Sequence, residues 1–411
     1  MRAHATPALA ILARPPSPSE EQPGESSPSL LPEDRFCREL CRMGAELGMI
    51  VYVVYAHPAW AALSETELTG YALQGGRWTE KRWPLPDLVY DRAIGANPAE
   101  RQAKAGLLKQ LAERKPLTPL NGSLPGKLAV YEALRTDQRL RPALPPTFAY
   151  PGTSSLQRLA LRFPRGVFLK PDAGYQGRGA IAITARDGLW RAEGRTIGNA
   201  AVARTFTNAA ACAAWCERFI RAAYIAQPYL PLRNESGASC DIRSLIQKDE
   251  RGRWRITGIA VREGAPGSVT SNLHGGGEAK DAAAVLAARF GEAAARRLLL
   301  RTARLSLRAS RALEQHFGRF FELGLDFGLE ASGRLWLLEA NAKPGRMSFY
   351  ARPAIYRLAV LRPLQAAMRL AGAGRTVLSP VPLSSHHRST RGSTYTQQAR
   401  YHRGCIQEVH P

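Results

Sequence analysis

Two clusters of residues in this 411-residue chain have types and spacings suited to chemistry. The first is Val167-Phe-Leu-Lys-Pro-Asp-Ala-Gly-Tyr-Gln-Gly-Arg-Gly-Ala-Ile181, where Gly174, Gly177 and Gly179 lie between two apolar segments that both read as strands. The loop therefore closes a β-hairpin, unlike phosphate loops that run from a strand into a helix N-terminus. A glycine hairpin can still cover phosphates, because missing Cβ atoms let backbone N–H groups approach the oxygens, and Lys170 would reach the same groups. The plainer alternative is an ordinary turn. The second cluster lies in Leu323-Gly-Leu-Asp-Phe-Gly-Leu-Glu-Ala-Ser-Gly-Arg-Leu-Trp-Leu-Leu-Glu-Ala-Asn341, two apolar strands around the turn Ala331-Ser-Gly-Arg334. Asp326 is in one strand; Glu339 and Asn341 are two apart in the other and share a face. Three oxygen side chains on one face of an apolar hairpin are costly to bury unless a cation satisfies them. Mg²⁺ suits that place, since it takes few carboxylates and completes its shell with phosphate oxygens. The alternative is a hairpin with one solvated polar face.

The elements that must position these residues follow from periodicity. Residues 8–13 read as a strand, 15–32 as a Pro/Ser/Glu-rich loop, and Phe36, Leu40, Met43 and Leu47 repeat at helical spacing. Strands follow at 49–55 and 85–92, so the chain opens with an α/β domain ending near residue 115. Next come a helix at 127–134, strands at 166–170 and 180–184, and a helix at 209–220. Strands at 224–230, 239–248 and 254–262, one long helix over 281–317, and strands at 323–330 and 335–341 complete the pattern. The expected domains are 1–115, 116–228, 229–350, a C-terminal helix at 351–376 and a disordered basic tail at 377–411.

Composition sets bounds. The 57 basic and 34 acidic residues give a net charge of +23, and nine of the basic residues are Lys. Such a charge favours nucleic acid, acidic membrane or nucleotide phosphates, although an Arg-rich coding bias would also produce it. Specific nucleic-acid binding is not expected, because no zinc finger, RNA-recognition signature or aromatic-interleaved basic stripe is present. No apolar run reaches the roughly 18 residues of a membrane span, and residues 1–14 lack the layout of a signal peptide. A soluble intracellular protein is expected. Of six Cys, the pairs Cys37/Cys41 and Cys212/Cys216 have four-residue spacing, which reads as inert thiols on helix faces rather than zinc ligands or disulfides.

Taken together, the two clusters resemble the ATP-grasp superfamily, with a Lys before a glycine-rich hairpin, a second Lys upstream, and a late Asp followed by a Glu-x-Asn pair. The interval of 13 residues from Asp326 to Glu339 is similar to that of D-alanine–D-alanine ligases. Within the superfamily the chain resembles the YheC/YheD group of endospore-coat-associated proteins. The segments that carry this are Pro84-Leu-Pro-Asp-Leu-Val-Tyr-Asp-Arg92, Ser239-Cys-Asp-Ile-Arg243, Asn272-Leu-His-Gly-Gly276 and Trp336-Leu-Leu-Glu-Ala-Asn-Ala-Lys-Pro344. The resemblance implies an α/β (α+β) ATP-grasp fold, with an N-terminal open α/β domain before two α+β lobes that clamp the nucleotide.

Carried over residue by residue, it implies that Lys127 and Lys170 contact ATP phosphates and that Gly174, Gln176, Gly177 and Gly179 form a lid. Gln227 and Tyr229 would lie at the hinge beside the adenine, and Asp326, Glu339 and Asn341 would hold Mg²⁺, with Mn²⁺ as an alternative. Arg243 and Arg262 would hold the transferred phosphoryl or acyl-phosphate group, or else be surface arginines. Lys343 reads as a solvated residue before a turn, or as one that steers an acidic substrate. Two departures stand out: Tyr175 replaces a small hydroxyl residue in the loop, and Gly324 stands where D-alanine ligases have Arg. The activity implied is ATP-dependent ligation of a carboxylate to an amine through an acyl phosphate, needing no protein nucleophile, with His274 a bystander. Small-molecule or peptide substrates, spore-coat partners and a place in the mother-cell cytoplasm or spore coat are implied with it. A coat protein that keeps the fold without turnover is the alternative.

Overall fold

The computed structural model describes residues 6–15, 31–95, 97–174, 177–232, 234, 237–264 and 277–373. Tyr175, Gln176, the segment 272–276 with His274, most of the 15–32 loop and the 377–411 tail lie outside the described residues.

Three sheets organise the rest. The first contains β1 (Ala8–Ala13), β2 (Ile50–Tyr55), β3 (Glu67–Gln74), β4 (Arg77–Pro84), β5 (Leu88–Asp91) and β6 (Thr118–Pro119), in the order β4-β3-β2-β1-β5-β6. β1 runs parallel to both β2 and β5, and β5 to β6, while β3 and β4 add an antiparallel edge. The helices are α1 (Asp34–Glu46) and α2 (Pro98–Arg114). Alternate residues of β1 explain its unbroken apolar run. Leu9, Ile11 and Ala13 share a core with Phe36 and Leu40 of α1, whereas Ala8, Ala10 and Leu12 share one with Leu107 and Leu111 of α2. A strand covered on both faces has no polar side to display. The β3–β4 hairpin was not expected from the sequence, although Gly75-Gly76 between two eight-residue strands is a two-residue hairpin signal.

The second sheet is antiparallel: β7 (Phe148–Ala149), β8 (Val167–Pro171), β9 (Ile181–Arg186), β10 (Leu189–Arg195), β11 (Ala201–Phe206) and β12 (Tyr224–Pro228), ordered β11-β10-β9-β8-β12-β7. β8 and β9 pair as the expected hairpin. α4 (Leu156–Arg162) and α5 (Ala209–Phe219) accompany it; Leu156, Cys212 and Cys216 pack on Leu169, Ile181 and Ala226. α3 (Lys127–Arg135) packs instead on the third sheet's side, its Val130 and Leu134 sharing a core with Ile242 and Leu325.

The third sheet, also antiparallel, has β13 (Cys240–Lys248), β14 (Trp254–Glu263), β15 (Glu278–Asp281), β16 (Glu322–Leu329) and β17 (Leu335–Asn341), ordered β15-β14-β13-β16-β17. The long helix expected over 281–317 is two helices, α6 (Ala282–Phe290) and α7 (Glu292–Phe317). Gly291, at φ 79°, ends one and begins the next, a conformation no helical residue adopts. Leu305, Ala309 and Leu313 of α7 pack on Ile242, Leu325 and Phe327. The outer face of α7 exposes Arg296, Arg297, Arg301, Arg304 and Arg311, so part of the +23 charge is a solvated helix face. The C-terminal helix α8 (Pro353–Ala373) returns to the first sheet, where Tyr356, Val360 and Leu364 join the core of α1.

Cys37, Cys41, Cys212 and Cys216 are buried and free of disulfides, and burial raises the Cys41 thiol to about 12. Both pairs lie on helices, α1 and α5, as the spacing implied. Among the described residues no helix is long and apolar enough to cross a membrane.

Candidate active site

The site lies where the β8–β9 hairpin, the start of α3 and the β13-β16-β17 part of the third sheet meet. Lys170 is the penultimate residue of β8 and is nearly buried, donating to the Leu338 carbonyl at 3.3 Å. Leu338 is the extra residue of a bulge: Asp326 pairs with Glu339, but Phe327 pairs with Leu337. The plain hairpin expected here is therefore kinked, and the kink turns a backbone carbonyl toward Lys170. Burial lowers the Lys170 ammonium to about 8, against the pull of Glu339 and with the repulsion of Lys127. Lys127, the first residue of α3, has its ammonium 3.7 Å from Glu339 and 2.8 Å from the Gly174 carbonyl.

The Asp326 carboxylate is the centre of a second group. Arg243 on β13 binds it through both Nε and Nη2, the latter at 3.0 Å to Oδ2. Arg262 on β14 reaches its Oδ1 at 3.1 Å and forms a two-point pair with Asp241 at 2.7 and 2.6 Å. Asn341 donates to Asp326 Oδ2 at 3.2 Å. Burial pushes Asp326 upward, but the two guanidinium groups outweigh it and hold the carboxyl below its ordinary range. The arginines are thus neither surface residues nor separate from the acidic set; the sheet register places Arg243 directly opposite Asp326. Gly324 is explained by the same packing. A Cβ there would lie 2.7 Å from Pro344 Cβ and 3.4 Å from Arg243 Nη1, so an Arg has no room.

Gly179 needs to be glycine: its φ is 75°, and a Cβ would stand 2.6 Å from Ile197 Cδ1 and 2.7 Å from the Tyr224 hydroxyl. Gly177, at φ 68°, completes the turn. Gln227 lies in β12 (Tyr224–Pro228) and Tyr229 directly follows it. The Gln227 side chain points inward and donates to Thr147 at 2.8 Å, while the Tyr229 N–H bonds the Gly166 carbonyl at 2.9 Å. β7 pairs only with Ile225 and Ala226, so the ladder on that side stops before Gln227.

Residues 117–370 match the family described as YheC/D like ATP-grasp. The chain belongs to that family. It is 30% identical over 282 residues to the endospore coat-associated protein YheC of Bacillus subtilis (strain 168), covering 68% of this chain and 76% of that one. It is 27% identical over 332 residues to the endospore coat-associated protein YheD of the same organism, covering 79% and 70%. Two solved structures share the ATP-grasp fold at low identity. D-alanyl-alanine synthetase A from Vibrio cholerae has a TM-score of 0.52 at 13% identity, covering 90% of this chain and all of that one. The VanG D-Ala:D-Ser ligase from Enterococcus faecalis has 0.52 at 10%, covering 89% and 99%.

Within this ATP-grasp chain, Lys127, Lys170, Gly174, Glu339, Asp326, Asn341, Arg243 and Arg262 form one connected set. Residues that carried no role in the sequence complete it. Asp172 caps α3, its Oδ1 accepting from the Leu128 N–H at 2.8 Å and its carbonyl from the Lys127 N–H at 3.0 Å. Asp241 neutralises Arg262. Both stood inside quoted segments, next to Lys170 and Arg243, without a spacing that named their partners. Lys343 is not solvated; it pairs with Asp91 at 2.7 Å, and burial lowers it to about 7.

The residues fit Mg²⁺ in part. Among the described residues no group of three or more His, Cys, Asp or Glu could cage a metal. Among the described residues Glu339 is held only by a loose contact with Lys127, and Asn341 turns its amide nitrogen to Asp326, leaving its carbonyl oxygen for another partner. One carboxylate and one amide oxygen suit an ion that takes the rest of its shell from phosphates and water. Asp326, already bonded to two guanidinium groups, fits a direct ligand less well than the sequence implied.

Proposed function

We propose that the chain binds ATP with Mg²⁺ and is a carboxylate–amine ligase that works through an acyl phosphate. The observation that carries this is the convergence of Lys127, at the start of α3, and Lys170, on β8 of the second sheet, at Glu339 of the third: Lys127 lies 3.7 Å from its carboxylate and Lys170 bonds the carbonyl of the preceding residue. The partition into 1–115, 116–228 and 229–350, closed by the helix within 351–376, is part of the same reading and is supported by the three sheets.

In this reading Lys127 and Lys170 bind the phosphates, and the hairpin bearing Gly174, Gly177 and Gly179 covers them. Glu339 and Asn341 would hold Mg²⁺, which when bound neutralises charge on the phosphates and polarises them. Arg243 and Arg262, oriented by Asp326 and Asp241, would stabilise the group in transfer. The γ-phosphoryl passes to a substrate carboxylate and ADP leaves. An amine then attacks the acyl carbon, phosphate departs, and the amine nitrogen gives up a proton. The substrates are small-molecule or peptide carboxylates and amines. The names of the relatives support association with the endospore coat and a place in the mother cell or coat; they also favour the alternative of a coat protein that does not turn over.

Calorimetric titration with Mg·ATP, followed by ADP release with hydroxylamine as the amine, tests the reading. Binding with hydroxamate formation is expected. Absence of Mg·ATP binding refutes the proposal, and binding without ADP release across a panel of carboxylates leaves the coat-protein alternative.

A further inference from the structure

Asp91 ends β5, and two ammonium groups converge on one of its oxygens. Lys104 of α2 lies 2.8 Å from Oδ2, and Lys343, from the segment after β17, lies 2.7 Å from the same atom. Both also donate to the Ala93 carbonyl, at 3.0 and 2.7 Å. The other oxygen, Oδ1, accepts from the Ala93 N–H at 3.0 Å. These side chains are sheltered, 18% exposed for Lys104, 22% for Lys343 and 26% for Asp91. Two basic groups share one acidic group here, a surplus of basic side chains sheltered from bulk water. Among the described residues each amine, with up to three donors, bonds two oxygens, Asp91 Oδ2 and the Ala93 carbonyl.

The cluster's place in the fold gives this surplus a use. From β1 the chain passes through α1 to β2 on one side. β5 lies on the other side of β1, and α2 covers the opposite face on the way to β6. The carboxyl ends of β1 and β5 therefore mark the point where the winding reverses, the position at which open α/β sheets bind ligands. A crevice opens there, bordered by Ala56, His57, Ala93, Ile94, Gly95 and Lys104; Arg14 and Glu100, one of each sign, also line it. Lys343 stands two residues beyond Asn341, within about 7 Å of chain from the end of β17. The lysine pair is therefore tied closely along the chain to the Glu339–Asn341 end of β17.

We infer that Lys104 and Lys343 receive a second anionic group on the carboxylate substrate, so that the acyl donor is a dicarboxylate or a phosphorylated carboxylic acid. The inference rests on the ligase reading. A second carboxylate or phosphate would supply the missing charge and accept the unused donors in charge-assisted hydrogen bonds. A neutral side chain would leave both unmet, and a cationic one would be repelled.

The test uses the full chain with Mg·ATP and hydroxylamine. ADP release is compared within matched pairs: succinate against propionate, glutarate against butyrate, and O-phosphoserine against serine. The dianion is expected to exceed its monoanion at least tenfold in kcat/KM in at least one pair, and the pair that responds tells carboxylate from phosphate. Lys104→Met and Lys343→Met should each abolish that preference mainly through KM, Lys343→Arg should keep it, and all three should bind Mg·ATP as the parent does. Equal use of both members in every pair, or a preference that survives the Met variants, overturns the inference. A parent chain that binds no Mg·ATP instead overturns the ligase reading on which it rests.

Discussion

Asp326 and Glu339 face each other across one hairpin, yet their replacement should have opposite consequences. Asp326→Asn removes the carboxylate paired with Arg243, at a position where Asp326 is 7% and Arg243 8% exposed. Removing one partner of a buried ion pair costs about 3–5 kcal/mol, and the remaining amide oxygen puts this case near about 3 kcal/mol. Unfolding entropy of about 2.1 cal/mol/K per residue gives roughly 0.8 kcal/mol/K for the unit Met1–Ala373, so the Tm should fall by about 4 °C. Glu339→Gln loses only a 3.7 Å contact with Lys127 by a side chain 28% exposed, worth about 0–1 kcal/mol, and the Tm should move by about 1 °C or less. Affinity for Mg·ATP should reverse the order, with Glu339→Gln weakening it by at least about tenfold, or about 1.4 kcal/mol. Scanning calorimetry in EDTA and isothermal titration with Mg·ATP give the two numbers for each variant. The assignment of Asp326 to the arginines and of Glu339 to the ion is refuted if Asp326→Asn leaves the Tm within about 1 °C, or if Glu339→Gln lowers it as much as Asp326→Asn does.

Three further outcomes follow from the geometry. Lys170 titrates at about 8 in the fold and at 10.5 when free. The unfolded chain therefore binds the extra proton between these values, and stability should rise with pH through that window by up to about 3 kcal/mol. Lys170→Met should remove that rise in urea melts at pH 7–10.5 while weakening ATP binding. Gly179→Ala forces a side chain into a left-handed conformation costing about 1–2 kcal/mol and against Ile197 and Tyr224; a higher KM for ATP with a smaller change in Tm is expected. Glu322 is fully buried and accepts from Tyr90, Arg92, Gln247 and Arg346. Glu322→Gln leaves the buried Arg346 without its carboxylate, and thermal melts should show a loss of about 3–5 kcal/mol, the largest of this set.

Much of this fold is legible locally. The unbroken apolar run of β1, the Phe36-Leu40-Met43 period and the glycine hairpin each state an element, because a strand covered on both faces, an amphipathic helix and a tight turn impose patterns within ten residues. The β3–β4 hairpin was legible too, in Gly75-Gly76, and was missed. The break at Gly291 was hidden because apolar, Ala-rich sequence continues on both sides. The site was legible as a set: Lys127, Lys170, Asp326, Glu339, Asn341, Arg243 and Arg262 do meet. Their pairing was not.

What the amino-acid sequence determined by itself was the inventory: which residues carry charge, which lie two apart on a strand face, and which glycines open a turn. Those follow from bonds and steric rules acting over a few residues. Tertiary structure decided who neutralises whom. Asp326 sits opposite Arg243, 83 residues away, and Lys104 and Lys343 share one oxygen of Asp91 although they are far apart in the chain. A carboxylate in a strand reads the same whether a metal ion or a guanidinium answers it. Only the register of β13 against β16, and the bulge at Leu338 that turns a carbonyl to Lys170, separate the two cases, because a buried charge takes whichever partner the packing brings within about 3 Å.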